Sequence, residues 1–279
     1  MPGLRRDHGV AQGPGIFSVR IEMEAIDSAY AVAGNGPPVF LVHGVGGSGS
    51  TWARLIDRLK TEFTCISYDL RGHGKSPRSA GAFELDDFVA DLEALRKHIG
   101  CDRAHVIGHS LGGMIAARYS RHHSDRVIST GLLSTVAGRT DEERTRAQAV
   151  IVAMEREGVA SALDLLVPRW FTDDFVRNHP DIVAMRKRQV MEVNPVVYMN
   201  AFRLYVETEM AGWLHEVVTP ALVLTGELDP SCSPRHNRFI AARLPKAQLV
   251  ILDGLRHGIL LEAPERVAPP VAEFLRAHR

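Results

Sequence analysis

The sequence predicts an α/β protein whose mostly parallel sheet is covered by helices on both faces. Two observations carry this. Short apolar runs alternate with amphipathic helical stretches along most of the chain, and strand–helix–strand in series requires parallel pairing through right-handed crossovers. The alternation stops only between Leu133 and Trp213, where the residues carry only helical or charged patterns.

Eight apolar runs are candidate strands: Ile16–Met23, Ala25–Val32, Val39–His43, Thr64–Tyr68, Ala104–Ile107, Val127–Leu133, Ala221–Thr225 and Gln248–Leu252. The first two are adjacent and read as a hairpin. Helical periodicity falls on Ser50–Lys60, Leu85–Ile99, Leu111–His122, Pro234–Leu244 and Pro264–Ala277. The organisation expected is a tail over residues 1–15, a core made of 16–134 and 214–279, and a helical cap over 135–213, inserted after the sixth strand. A cap is the expected role for the insertion because ligands of open α/β sheets bind at the C-terminal edge of the strands.

Composition narrows the function. Basic and acidic residues number 33 each, so no net field points to nucleic acid or to an anionic membrane surface. A small-molecule partner is expected, with assembly into a homo-oligomer left open. Cys65, Cys101 and Cys232 are an odd number at wide spacing, which gives neither a disulfide framework nor a metal-binding pair. The opening MPGLRRDHGVAQGPG lacks the apolar core of a signal peptide, and no stretch is long and apolar enough to span a bilayer. The expected location is the cytoplasm.

The strongest local signal is VIGHSLGGM, in which Gly108-His109-Ser110-Leu111-Gly112 fits G-x-S-x-G. Composition alone would produce this pattern in roughly one such chain in ten, so its context decides. Ala104–Ile107 is a candidate strand and Leu111–His122 a candidate helix, which puts Ser110 on a sharp strand-to-helix turn with its hydroxyl exposed. Gly108 and Gly112 leave room for that turn. The adjoining helix start adds partial positive charge where an oxyanion would form.

A serine hydroxyl is a weak nucleophile until a base takes its proton. Of the 13 histidines, His257 falls in the loop between the last strand and a Pro-initiated helix, from which an imidazole reaches the top of the sheet. The imidazole in turn needs a carboxylate to fix its tautomer. Asp229 follows the strand Ala221–Thr225; Glu227 competes two residues earlier, and Asp253 lies too close to His257 along its own loop. The segment after Val127–Leu133, another place for such an acid, reads STVAG and carries none. The order Ser110, Asp229, His257 is that of an α/β-hydrolase triad.

FLVHGVGG, Phe40–Gly47, runs from a strand into a glycine-rich loop without the lysine of a phosphate-binding loop. The N–H groups of Val45 and Leu111 are the expected oxyanion donors, one such donor being worth about 3 kcal/mol in the transition state. No cofactor or metal is expected.

From about Phe17 onward the chain resembles the α/β-hydrolase fold superfamily, on VHGVGG, DLRGHGKS, GHSLGG, LTGELD and GLRHGILLEAPE taken together. It is most similar to the 3-oxoadipate enol-lactonase group and related small esterases and carbon–carbon bond hydrolases, on REGVASALDLLVPRWFTDDF. The resemblance implies a lid that brings Trp170 and Phe171 near the pocket, with Arg139 or Arg169 available to a substrate carboxylate. It implies a cofactor-free hydrolase of a small ester or lactone. Relatives that use an aspartate at the elbow are excluded by Ser110, whereas haloperoxidases and hydroxynitrile lyases keep the serine. The rivals are a carbon–carbon bond hydrolase acting on a dienone acid and a catalytically silent small-molecule receptor.

Overall fold

The computed structural model describes residues 28–77 and 83–279. Seven strands of these residues form one sheet: β1 (Tyr30–Ala33), β2 (Pro38–Val42), β3 (Thr64–Tyr68), β4 (Ala104–His109), β5 (Val127–Leu133), β6 (Ala221–Gly226) and β7 (Ala247–Leu252). Their order is β1-β3-β2-β4-β5-β6-β7, with β1 antiparallel to β3 and every other pairing parallel. The sheet therefore has seven strands among the described residues, where eight are expected. The expected strand Ile16–Met23, its hairpin and the tail lie outside those residues.

Side-chain alternation sorts the strands' residues between two cores. Phe40, Val42, Val106, Leu132 and Val223 face one side, where α2 (Leu85–Ile99) and α3 (Leu111–His122) cover them. Leu41, Ile107, Leu133, Leu222 and Leu224 face the other, against α1 (Ala53–Leu59) and the C-terminal α11 (Pro264–Ala277). Every residue of β4 is buried, as a central parallel strand requires. The expected helix Ser50–Lys60 is a 3₁₀ turn, Gly49–Trp52, followed by α1. The one expected at Pro234–Leu244, α9, ends at Ala241.

Between β5 and β6 the chain forms α4 (Asp141–Glu157), α5 (Val159–Trp170), α6 (Asp173–Asn178), α7 (Pro180–Glu192) and α8 (Pro195–Glu207). Their boundaries are set locally. Thr140 and Glu143 cap the start of α4 reciprocally, and Pro180 and Pro195 open α7 and α8. Ile151, Met154, Val190, Val197 and Tyr198 join these helices to the core on the α3 face of the sheet. A short α10 (Ile259–Glu262) precedes α11. Among the described residues no helix is long and apolar enough to cross a membrane.

Candidate active site

The chain turns from β4 into α3 at Ser110, whose φ of 57° and ψ of −119° lie where residues with a side chain are strained. The turn is pinned from both sides: Ser110 N–H donates to Leu133 O at 2.9 Å, and the Thr135 hydroxyl donates to Ser110 O at 2.9 Å. Its tightness depends on the flanking glycines. A Cβ on Gly108 would lie 1.8 Å from Gly112 O, and one on Gly112 would lie 2.0 Å from Val42 O. Gly112→Ala must therefore push α3 away from β2. The expected loss is about 3 kcal/mol or more, a fall of about 10 °C in Tm read by circular dichroism.

His257 stands in the loop after β7, and its Nδ1–H donates to Asp229 Oδ2 at 2.7 Å. Asp229 follows β6 and is 2% exposed, and its Oδ1 accepts the N–H groups of Ser231 and Cys232, each at 2.8 Å. Burial alone would raise the Asp229 pKa, but His257 and the two backbone donors outweigh it and hold the carboxylate below its ordinary range. Burial likewise works against the His257 cation, and Asp229 reverses that, leaving the imidazole above its usual 6.5. The competing Glu227 is exposed and accepts Gly254 N–H at 2.9 Å instead.

His109, inside the G-x-S-x-G pattern but given no part by sequence reasoning, bears on the same group. Its Nε2 donates to His257 O at 3.0 Å, and burial pushes its pKa down to about 3, so the ring is neutral. His109→Leu removes this donor from the partly buried His257 carbonyl, at a cost of about 1 kcal/mol. We expect kcat to fall about tenfold with KM little changed, measured on the best ester found.

Val45 lies in the loop after β2. The loop is braced by the buried His43, whose Nδ1–H donates to Gly44 O at 2.8 Å and whose Nε2 accepts Leu70 N–H at 2.9 Å. Leu111 opens α3, so its N–H is one of the helix's unpaired first donors.

Ser110, His257, Val45, Trp170, Phe171, Arg139 and Arg169 all border one cavity of about 210 Å³, below the usual range for drug-sized ligands. Arg139 spends its guanidinium on the carbonyls of Tyr205, Val206 and Thr208 at the end of α8. Arg169 Nε donates to Ser231 Oγ at 3.2 Å. Phe171 is buried and stacks on Phe175, and the Trp170 ring lies under the guanidinium of Arg186, 4.8 Å from its centroid. Arg186, on α7, also borders the cavity. It hides in the charged run MRKRQ, but its spacing of three from Val183 and four from Val190, both buried, puts it on the inner face of the helix.

The insertion is tied to the loops that carry His257 and Val45. Gly258 N–H donates to Trp170 O at 2.6 Å and Arg256 Nη1 to Phe171 O at 2.8 Å, while Arg186 donates to the carbonyls of Val45 and Gly46.

Among the described residues, one group offers three metal-type ligand atoms, Asp229, Cys232 and His257, within 4.8 Å of one another. The 2.7 Å contact between Asp229 and His257 is closer than two ligands of one ion would stand, and Tyr205 holds the Cys232 thiol at 3.2 Å. The group is built as a hydrogen-bonded pair with a neighbouring thiol.

A mostly parallel sheet with a strained serine after its central strand and a His–Asp pair after its last strands defines an enzyme of the α/β-hydrolase class. The profile described as alpha/beta hydrolase family matches residues 39–269, and the chain belongs to that family. It is 30% identical to (E)-2-((N-methylformamido)methylene)succinate hydrolase of Acinetobacter baylyi, over 88% of this chain and 93% of the other. To 3-oxoadipate enol-lactonase 2 of the same organism it is 24% identical, over 90% and 94%. A thermophilic esterase from Thermogutta terrifontis superposes with a TM-score of 0.82 at 28% identity, covering 90% of this chain and 94% of that one.

Proposed function

We propose that the chain is a cofactor-independent serine hydrolase that opens a small carboxylic ester or lactone through an acyl-enzyme. The observation that carries this reading is the strained Ser110, which shares a cavity with a His257 held by Asp229 at 2.7 Å. His257 Nε2 takes the hydroxyl proton as Ser110 Oγ bonds to the carbonyl carbon, and the N–H groups of Val45 and Leu111 stabilise the oxyanion. Collapse breaks the bond to the leaving oxygen, which receives the proton from His257. Water then repeats the sequence: His257 takes its proton, the acyl–serine bond breaks, and the proton returns to Ser110. Asp229 stays ionised throughout.

The helices over 135–213 act as the cap, supplying Trp170 and Phe171 to the cavity wall. The names borne by the similar proteins, an enol-lactonase and an esterase among them, agree with ester or lactone chemistry. The test is release of p-nitrophenol from acetate, butyrate and octanoate esters, with an enol-lactone alongside. Turnover should fall with chain length because the cavity is small, and faster lactone opening assigns the lactone as the better substrate. If no ester or lactone is turned over, the reading fails.

A further inference from the structure

We infer that Glu209 and Arg139 form a clasp at the neck of the insertion, and that this clasp sets the length of chain the cavity accepts. This rests on the hydrolase reading above and assigns its chain-length selection to positioning residues that lie outside Ser110, Asp229 and His257.

The chain crosses between core and insertion twice, entering through Gly138 and Arg139 ahead of α4 and leaving through residues 208–211 after α8. Each crossing holds the other. From the exit, Glu209 Oε1 accepts Gly138 N–H at 2.9 Å and Oε2 accepts Arg139 N–H at 3.3 Å, while Oε1 also takes Ala211 N–H at 2.9 Å. From the entry, the buried Arg139 donates to the carbonyls of Tyr205 and Val206, each at 3.1 Å, and to that of Thr208 at 3.3 Å. Arg144, on α4, adds an ion pair to Glu209 Oε2 at 3.6 Å.

Burial works against the charge of Glu209, but the three backbone donors and Arg144 outweigh it and hold the carboxyl below its ordinary range. The clasp is therefore ionised at neutral pH, and hydrogen bonds to an ionised acceptor are the strong ones.

The cavity wall depends on these bonds. Arg235, on α9, anchors the entry to the core through Gly138 O at 3.0 Å and through Glu143. The exit hangs on the entry through the clasp. Arg139, Glu143, Tyr205 and Val206 all border the cavity, so Arg139 and two of the carbonyls it holds belong to the wall itself. Trp170, Phe171 and Arg186 tie the side of the insertion formed by α5 and α7 to the core. At the other side, two crossings with no bond between them would make a hinge, and Gly138, at φ 68°, is where the entering chain turns. Bonding the crossings to each other removes that freedom and keeps the end of α8 against the start of α4, with the cavity at about 210 Å³.

The same bonds would exist if the clasp served stability alone, and chain-length selectivity separates the two roles. Hydrolysis of p-nitrophenyl octanoate and p-nitrophenyl acetate is compared in wild type, Glu209→Gln and Glu209→Ala. Each methylene that gains cover in a loosened cavity is worth about fourfold. The octanoate-to-acetate ratio of kcat/KM should therefore rise about tenfold in Glu209→Gln, which keeps the side-chain volume but replaces one accepting oxygen with a donor, and further in Glu209→Ala. A role confined to stability lowers Tm and moves both esters by one factor, and an unchanged ratio overturns the inference.

Binding gives a readout that does not need turnover. In calorimetric titrations of butanamide and octanamide into Ser110→Ala, and into Ser110→Ala with Glu209→Gln, the second variant should bind octanamide about tenfold more tightly relative to butanamide. An equal change for both amides, or binding of neither, overturns the inference. A gain confined to octanamide, without serine-dependent hydrolysis of either ester, leaves the clasp standing and removes the hydrolase reading.

Discussion

Ser110→Ala should lower ester turnover by about 10⁴ to 10⁶-fold while leaving the Tm at or above that of wild type. The size of the effect follows from the proposed acyl-enzyme route, in which no other atom takes the place of Oγ. The sign of the stability change follows from the backbone: alanine keeps the Cβ, and with it the φ of 57° at the turn, but frees the hydroxyl from a buried setting. Stopped-flow measurement on p-nitrophenyl acetate adds a second readout. A burst of p-nitrophenol equal to the enzyme concentration in wild type, absent from Ser110→Ala, marks the covalent intermediate. A variant that kept a tenth of wild-type turnover would exclude Ser110 as the nucleophile.

Asp229→Asn should cost about 10³ to 10⁴-fold and also move the pH profile. In the proposed mechanism His257 acts as a base only when neutral, so kcat/KM falls as pH drops through its pKa. Asp229 holds that pKa above the usual 6.5, so the acid limb of the wild-type enzyme should lie on the alkaline side of that value. Asparagine removes the attraction and leaves burial, which disfavours the imidazolium, so the limb should move to lower pH as the plateau drops. Glu227→Gln, on an exposed carboxylate bonded to Gly254 N–H, should change neither. A damaging Glu227→Gln with a harmless Asp229→Asn would reverse the assignment of the acid.

Much of this site is legible in the chain because its parts are local. Gly108 and Gly112 flank Ser110 at a spacing that few backbones other than a tight strand–helix turn require, and the apolar run before it and the helical run after it fix the turn's place. Asp229 and His257 follow from topology, since both come directly after strands at one edge of the sheet. Arg186 is not legible in the same way. Its meaning depends on what α7 packs against, and a run of Met-Arg-Lys-Arg-Gln on a helix reads equally well as a solvated face. Arg139 shows the converse. It borders the cavity, yet its guanidinium closes the end of α8, because a helix terminus leaves carbonyls that a nearby cation satisfies.

The ties between the insertion and the loops of His257 and Val45 limit how far this enzyme can be treated as a core with an exchangeable top. Trp170 and Phe171 hold the histidine loop through their carbonyls, and Arg186 holds the loop of Val45. A chimera that brought in another protein's helices to change the substrate would replace the struts of these two loops along with the pocket wall. Retuning by substitution inside the native helices keeps those struts, and a graft becomes workable only when the ends of α5 and α7 travel with the recipient.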